Sequence, residues 1–134
     1  MASGVYNRLK ANVLNKVIDL EADTIKVALY DNNHVFTTSD TTYTTTNELA
    51  TTGGYTQGDA TLSGKTITEG ATTKFDATDL AWTTATFTAY HAVLYDDSLA
   101  GKDLICSIDF GGAKTVSSGT FTIQWNADGI FTLA

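Results

Sequence analysis

The longest uninterrupted β-type pattern in the chain is the stretch from Ala85 to Tyr95, which contains no glycine or proline. Alternate residues of a strand face opposite sides of a sheet. One of the two alternating sets changes from Thr86 and Thr88 to the apolar Ala92 and Leu94. We therefore expect a long central strand, on the order of 35 Å at about 3.3 Å per residue, whose second face is solvated at one end and buried at the other.

The first twenty residues follow a different pattern, in which apolar residues recur at the three- and four-residue spacing of an amphipathic helix. Ser3 precedes this pattern as a candidate N-cap. The apolar residues are Tyr6, Leu9, Val13, Leu14, Val17, Ile18 and Leu20. We therefore predict an N-terminal helix over residues 1–20 and a β body over residues 21–134, within a single domain spanning residues 1–134.

Short alternating runs separated by turn signals follow the helix. Residues 24–30 predict a strand with Ile25, Val27 and Leu29 facing inward, and the polar segment 31–59 is predicted to be a long loop. Further strands are predicted at residues 60–63, 65–69, 72–75, 81–95 and 103–110. The last of these has Leu104, Cys106, Ile108 and Phe110 on one face. A connection framed by residues 111–112 and 117–119 follows, and then a hairpin of residues 120–125 and 130–133. The predicted fold is mainly β, an antiparallel, jelly-roll-like β-sandwich with an N-terminal amphipathic helix.

Composition supports the β assignment and limits the classes of partner. The chain has 25 threonines, which suit a pleated, solvent-facing surface, and charged residues make up only 17%. Three cations and one acid give residues 1–20 a charge of +2, and five lysines against 14 acids give residues 21–134 a charge of −9. An acidic body does not bind nucleic acid through counterion release, and no apolar run approaches the ~20 residues of a membrane span. We therefore expect no nucleic-acid partner, no membrane partner and no secretory signal.

No combination of residues predicts a catalytic or metal site. His34 and His91 are the only histidines, and neither has a second metal ligand at local spacing. The single Cys106 is predicted to be a buried apolar residue. The chain has no nucleophile elbow, phosphate-binding loop or dinucleotide fingerprint. We therefore predict a protein that is not an enzyme, with no catalytic residues, no metal and no cofactor.

Short motifs spread over nearly the whole chain resemble a known family. They are Val5-Tyr6-Asn7, Leu9-Lys10, Ile18-Asp19-Leu20, residues 23–29, Gly53-Gly54-Tyr55 with Gly58, Phe75-Asp76-Ala77 with Asp79 and Trp82, residues 92–95, residues 104–106 and 108–111, and residues 119–123 with Trp125 and Gly129. In this order they resemble a family of small virion structural proteins of tailed bacteriophages. The resemblance implies a virion location, as a capsid decoration (cement) protein or another head- or tail-associated component, and no active-site residue is carried over.

The resemblance also implies partners, which are other virion proteins, above all a major capsid protein, and further copies of the chain itself as a homo-oligomer. The basic helix and the long loop are the places where such contacts are expected. The candidate interface residues are Tyr6, Arg8, Lys10, Lys16, Tyr43 and Leu49. Two alternatives remain open, a tail- or neck-associated virion component and a β-sandwich module that binds host glycans through exposed aromatic residues.

Overall fold

Two antiparallel sheets form most of the regular structure of residues 3–134, the part of the chain that this computed structural model describes. Strands account for 45% of the described residues and helix for 6%. The elements are β1 (Gly4–Val5), α1 (Asn7–Leu14), β2 (Ile25–Tyr30), β3 (Thr66–Thr68), β4 (Thr73–Asp76), β5 (Leu80–Asp96), β6 (Asp103–Ile123) and β7 (Phe131–Leu133). The first sheet has the order β1-β6-β5-β2 and the second has the order β3-β4-β7. The predictions of a mainly β, antiparallel protein and of a helix near the N-terminus are confirmed.

The predicted long central strand is confirmed as β5, and it is longer than expected. It pairs with β6 along its length and with β2 only from His91 to Asp96. Thr86 near its start is exposed, whereas Ala92 and Leu94 near its end are fully buried. The change from threonine to apolar residues therefore marks where the sheet becomes covered on both faces.

A bulge between β5 and β6 interrupts the simple alternation of both strands. Ala89 pairs with Lys114 and His91 pairs with Asp109, so one residue of β5 lies opposite residues 110–113 of β6. Gly111 and Gly112 adopt positive φ angles of 80° and 144°, which glycine tolerates best. The predicted connection framed by residues 111–112 and 117–119 is therefore wrong, because β6 continues through both and the two glycines form a bulge inside one strand.

Because of register shifts between β5 and β6, their side chains do not alternate strictly between the two faces of the sheet. Ala89 and Leu94 have opposite parity, yet both belong to the main hydrophobic core. Similarly, Leu104 lies in a second apolar cluster while Cys106 lies in the main one. The prediction that residues 104, 106, 108 and 110 share one face is therefore wrong at residue 104, because the pairing shifts by one between Leu94 and Tyr95.

The two apolar clusters lie on opposite faces of the first sheet. Ile25, Val27 and Leu29 belong to the main core, as predicted, together with Phe75 of the second sheet. The second cluster consists of Tyr6, Ala28, Tyr30, Val93, Tyr95 and Leu104, with Phe36 and Tyr43 packed against it. The loop after β2 therefore covers the second face of the sheet with its own aromatic side chains.

The predicted N-terminal helix is shorter than residues 1–20. It begins at Asn7, and Tyr6 stands at the N-cap position without a side-chain hydrogen bond to the helix. Ser3, the predicted cap, instead accepts a hydrogen bond from the backbone N–H of Asp109 at 2.8 Å through its hydroxyl. Residues 1 and 2 of the prediction lie outside the described part of the chain.

The helix ends in a Schellman motif that the sequence does not signal. Lys16 has a φ of 58°, and its N–H donates to the carbonyl of Val13 at 3.3 Å. The N–H of Val17 donates to the carbonyl of Asn12 at 2.8 Å. This pair of bonds ends a helix, most often with glycine at the position that Lys16 occupies. Residues 15–20 of the predicted helix therefore lie beyond its last turn.

Two further strand predictions are wrong. Residues 60–63 form no strand, and only Thr61 makes an isolated bridge, to Lys26. Residues 130–133 do not form a hairpin with residues 120–125, because β7 pairs with β4 through partners such as Phe75 and Phe131. The N–H of Ile130 donates to the carbonyl of Phe75 at 2.7 Å, which directs the chain towards the second sheet.

Candidate interaction surface

Three of the six predicted interface residues lie inside the fold. Tyr6 is buried and packs edge-to-face against Phe36 with ring centroids 4.9 Å apart. Tyr43 is half-buried and stacks on Tyr95 at 4.2 Å. Leu49 packs against the main core. These three side chains hold the loop after β2 in place and do not form a free surface.

Of the three predicted cations, Arg8 and Lys10 lie on the helix and Lys16 lies just beyond its C-terminal end. Arg8 forms an ion pair with Asp103, with Nη1 and Oδ2 3.7 Å apart. The same carboxylate accepts a hydrogen bond from the side-chain amide of Asn12 at 2.8 Å. Lys10 and Lys16 are exposed. Arg8 therefore joins the helix to β6, and the two lysines are available to a partner.

Most of the large apolar side chains that are exposed in residues 3–134 lie together. Six are exposed, and five of these line two adjoining grooves. The five are Val13, Leu14, Val17, Ile67 and Leu133. Leu14 is 87% exposed and Leu133 is 63% exposed. We call this set the apolar surface, and Val35, the sixth exposed residue, does not belong to it.

The first groove lies between α1 and β7 and has a volume of about 300 Å³. Its walls are formed mainly by apolar side chains, and Lys10 is its only charged residue. The second groove, of about 370 Å³, lies between the end of α1 and β3, and Lys16, Asp19 and Asp23 line it. Val13 lines both grooves, so the apolar surface is continuous across the helix.

The early end of the helix explains why Val13 and Leu14 are exposed. Leu9, one turn before Val13, is buried in the main core. Val13 and Leu14 belong to the last turn, where the helix has passed the part of the core that could cover them. Exposed apolar residues are common singly, but a contiguous group next to a groove is typical of an interaction site.

A polar cavity of about 480 Å³ lies under the loop after β2. His34 forms part of its lining, and its Nε2 lies 3.2 Å from the hydroxyl of Ser107. The ring of His34 meets that of His91 edge-to-face with centroids 5.0 Å apart. Burial, followed by the neighbouring His91, lowers the pKa of His34. Tyr30 pairs with His91 in the sheet, and the turn after β2 returns His34 to the same place, so the fold brings together two histidines that sequence spacing gave no reason to associate.

Metal binding requires more ligands than this pair of histidines supplies. Residues 3–134 contain no group of three or more histidine, cysteine, aspartate or glutamate side chains arranged to hold a metal ion. Cys106 is buried, and burial raises the pKa of its thiol to about 12. A neutral, buried thiol agrees with the predicted apolar role of this residue.

Glu48 is a buried acid that fastens the loop after β2. It accepts hydrogen bonds from the hydroxyls of Tyr43 and Tyr55, the latter at 2.5 Å. The Tyr55 hydroxyl in turn accepts the backbone N–H of Leu29 at 2.9 Å. Burial raises the pKa of Glu48, and the two tyrosine hydrogen bonds act in the opposite direction. The carboxylate thus connects the loop to β2.

Asp96, at the end of β5, is a second buried acid and interacts with Asp23. Its Oδ1 accepts the backbone N–H of Ser98 at 2.9 Å. Burial, followed by the hydrogen bond with the Asp23 carboxyl group, raises the pKa of Asp96 to about 7. The same contact with Asp96 lowers the pKa of Asp23. The two carboxyl groups therefore hold one proton between them near neutral pH.

Asp96→Asn is expected to stabilise the protein at pH 8 and to have little effect at pH 4. The ordinary pKa of the aspartate is 3.8 and the folded pKa is about 7, so the folded state holds a proton that the unfolded state has released. Stability from this group therefore falls as the pH rises through that window. We expect the variant to raise the free energy of unfolding at pH 8 by about 1–2 kcal/mol, measured by urea unfolding.

Asp97→Asn is the matched control, with the opposite sign. Hydrogen bonding to Lys102, followed in smaller part by the charge of Lys26, lowers the pKa of Asp97. This group contributes stability above its unfolded pKa and loses it as the pH falls. The control should therefore be destabilised at pH 8. An Asp96→Asn variant with the same change in stability at pH 4 and pH 8 would contradict the proton sharing.

Comparison with known proteins found no matching family model and no matching curated protein. Among residues 3–134, no helix has the length and apolar character needed to cross a membrane.

Proposed function

We propose that the protein is a non-enzymatic structural component of a bacteriophage virion, and that it acts as a capsid decoration (cement) protein. The observation that carries the proposal is the apolar surface, where five exposed side chains line two adjoining grooves. Such a surface suits a protein whose task is to bind another protein. The resemblance of the sequence motifs to small phage virion proteins is the reason for proposing a virion as the assembly to which the protein binds.

The partner that we propose for the apolar surface is the major capsid protein. Burial of a leucine side chain contributes about 1.5–3 kcal/mol, so Leu14 and Leu133 alone supply a substantial part of a stable contact. Lys10 and Lys16 border the grooves and can pair with acidic residues at the edge of the contact. Charges at the rim direct the approach of a partner more than they add affinity.

We also propose that the two sheets form a β-sandwich. Phe75 of the second sheet belongs to the same core cluster as Ile25 and Leu29 of the first, which supports face-to-face packing of the sheets. In this arrangement, α1 and β7 lie side by side along one groove. A rigid sandwich would hold the apolar surface in a fixed shape before the partner binds, which lowers the entropy cost of binding.

The expected result of a combined Leu14→Gln and Leu133→Thr substitution is a fall of about tenfold in incorporation into virus particles. Both replacements remove apolar area, glutamine retains helix propensity, and threonine retains strand propensity. Copy number per particle is measured by quantitative mass spectrometry after infection of cells that express each variant. Val35→Thr is the matched control, because Val35 is 60% exposed but lies outside the apolar surface.

Two outcomes would count against the proposal in different ways. Absence of the wild-type protein from purified particles would refute a virion role. Incorporation of the double variant at the wild-type level, with Val35→Thr unchanged, would leave the virion role intact and move the contact away from the apolar surface. A reconstruction of particles that carry the wild-type protein would show whether it lies on the head, neck or tail.

A further inference from the structure

Among residues 3–134, the outer edge of β6 has no strand partner over more than half of its length. On one side β6 pairs with β5 as far as Ile123, and on the other side β1 pairs only with Cys106 and Ser107. Within the described part of the chain, residues 112–122 make backbone hydrogen bonds to no strand other than β5. A long unpaired edge presents a row of N–H and C=O groups to any extended backbone that approaches it.

The part of the sheet behind this edge is only two strands wide. Residues 81–89 of β5 pair with residues 114–122 of β6, and β2 joins the sheet only from His91 onward. On the β5 side, the Gly53 carbonyl accepts the N–H of Thr86 at 2.8 Å, and this bond closes that edge locally. A two-stranded section is marginally stable by itself, and additional strands stabilise it.

This two-stranded section is also almost free of charge, in a protein with a net charge of −7. Residues 80–95 contain no aspartate, glutamate, lysine or arginine, and residues 110–127 contain only Lys114. Two copies of an acidic protein repel each other where their carboxylates meet. The acid-free edge of β6 is therefore a place where two copies can approach without that repulsion.

A groove of about 620 Å³ lies beside the edge. Its apolar lining includes Phe110, Phe121, Ile123, Trp125 and Ile130. When an extended chain adds to a sheet, its backbone supplies hydrogen bonds, and neighbouring pockets receive alternate side chains. The edge of β6 offers both elements of this kind of contact.

We propose that β6 of one copy pairs antiparallel with β6 of a second copy around a two-fold axis. The two-stranded sections of the two copies then form one four-stranded sheet. A strand that meets its own copy antiparallel is self-complementary, which is the arrangement of a closed two-fold dimer. Apart from Lys114, the exposed side chains of residues 112–122 are small or hydroxylated, such as Ala113, Ser117 and Thr120. The inference does not rest on the virion role, because it concerns the isolated protein.

The first test adds lysines to the edge. Ala113→Lys, Ser117→Lys and Thr120→Lys change the net charge from −7 to −4, which reduces the overall repulsion between copies, but they place like charges opposite each other in the paired edge. The control is Thr45→Lys, Thr52→Lys and Thr68→Lys, three exposed positions elsewhere with the same net charge. We expect the edge variant to weaken dimerisation by about tenfold or more in sedimentation equilibrium, and the control to dimerise at least as well as wild type.

The second test locates the axis. In a Cys106→Ser background, single cysteines are introduced in turn at Ala113, Lys114, Thr115, Val116, Ser117 and Thr120, and each protein is oxidised. Antiparallel pairing around a two-fold axis predicts that disulfide dimers form at positions next to the axis and decline on both sides of it. A wild-type protein that remains monomeric at millimolar concentration would overturn the proposal. So would dimerisation that the edge lysines leave unchanged, or disulfide formation that shows no maximum along β6.

Discussion

Replacing Gly53 with alanine is expected to lower the free energy of unfolding by about 3–5 kcal/mol. A Cβ added at this position would lie 2.1 Å from the carbonyl oxygen of Thr86, which is backbone and cannot rotate away. The Gly53 φ of 62° adds a further cost, because side chains other than glycine rarely adopt it. The alanine would therefore push the loop away from β5 and break the hydrogen bond from Thr86 to the Gly53 carbonyl.

Gly111→Ala is the matched control for this effect. Gly111 also has a positive φ, of 80°, but a Cβ there would meet nothing within 4 Å. It is therefore expected to lose about 1 kcal/mol, the conformational cost alone. Urea unfolding followed by tryptophan fluorescence measures both variants. Equal losses for Gly53→Ala and Gly111→Ala would show that the close approach to Thr86 contributes nothing to stability.

Glu48→Ala is expected to produce the second large loss, about 3–4 kcal/mol. The substitution leaves the hydroxyls of Tyr43 and Tyr55 without their acceptor in a buried place, and it opens a void. An unsatisfied buried donor costs about 1–3 kcal/mol, and the lost packing adds to this. Because Tyr55 also accepts the N–H of Leu29, we expect faster hydrogen exchange in β2 as well as lower stability.

Two comparison variants separate hydrogen bonding from charge. Glu48→Gln retains the size and one acceptor oxygen of the side chain, so its loss should be smaller, about 1–2 kcal/mol. Glu69→Ala removes an exposed acid between β3 and β4 and should change stability by less than about 0.5 kcal/mol. Glu48→Ala with a loss as small as that of Glu69→Ala would mean that the loop is held without the carboxylate.

The sequence predicted those parts of the fold in which local pattern and tertiary pairing agree. The alternation of Ile25, Val27 and Leu29 identified β2, and the run from Ala85 to Tyr95 identified the central strand. Both predictions succeed because strand residues with strong β propensity were also the ones that the core required.

The predictions failed where the sequence carried no local signal or where the decisive interaction was not local. The helix ends at a Schellman motif formed around Lys16, a residue that gives no stop signal of the kind that glycine gives. Residues 130–133 pair with β4 instead of with the preceding strand, and only the second sheet as a whole determines that choice. Residues 110–113 of β6 form a bulge opposite the single residue Tyr90 of β5, so the regular alternation of side chains along β6 is interrupted there.

None of the five residues of the apolar surface was among the interface residues that the sequence predicted. The sequence directed attention to the basic helix, and Lys10 and Lys16 do border the grooves. It assigned Val13 and Leu14 to a buried stripe, since periodicity alone does not show how far the core extends beneath a helix. Their exposure became visible only when the end of the helix and the position of β7 were known.

The strand order of the first sheet has a kinetic consequence. The hairpin of β5 and β6 is its only pairing between neighbours in sequence, because Gly4 of β1 pairs with Ser107 and Ile25 of β2 pairs with Asp96. The first of these contacts closes a chain segment of roughly 100 residues, and the second closes a segment of roughly 70 residues. Sheets dominated by such distant pairings fold in milliseconds to seconds, and not in microseconds. The hairpin can therefore form early, but the sheet is complete only when the first thirty residues return to dock on both of its sides.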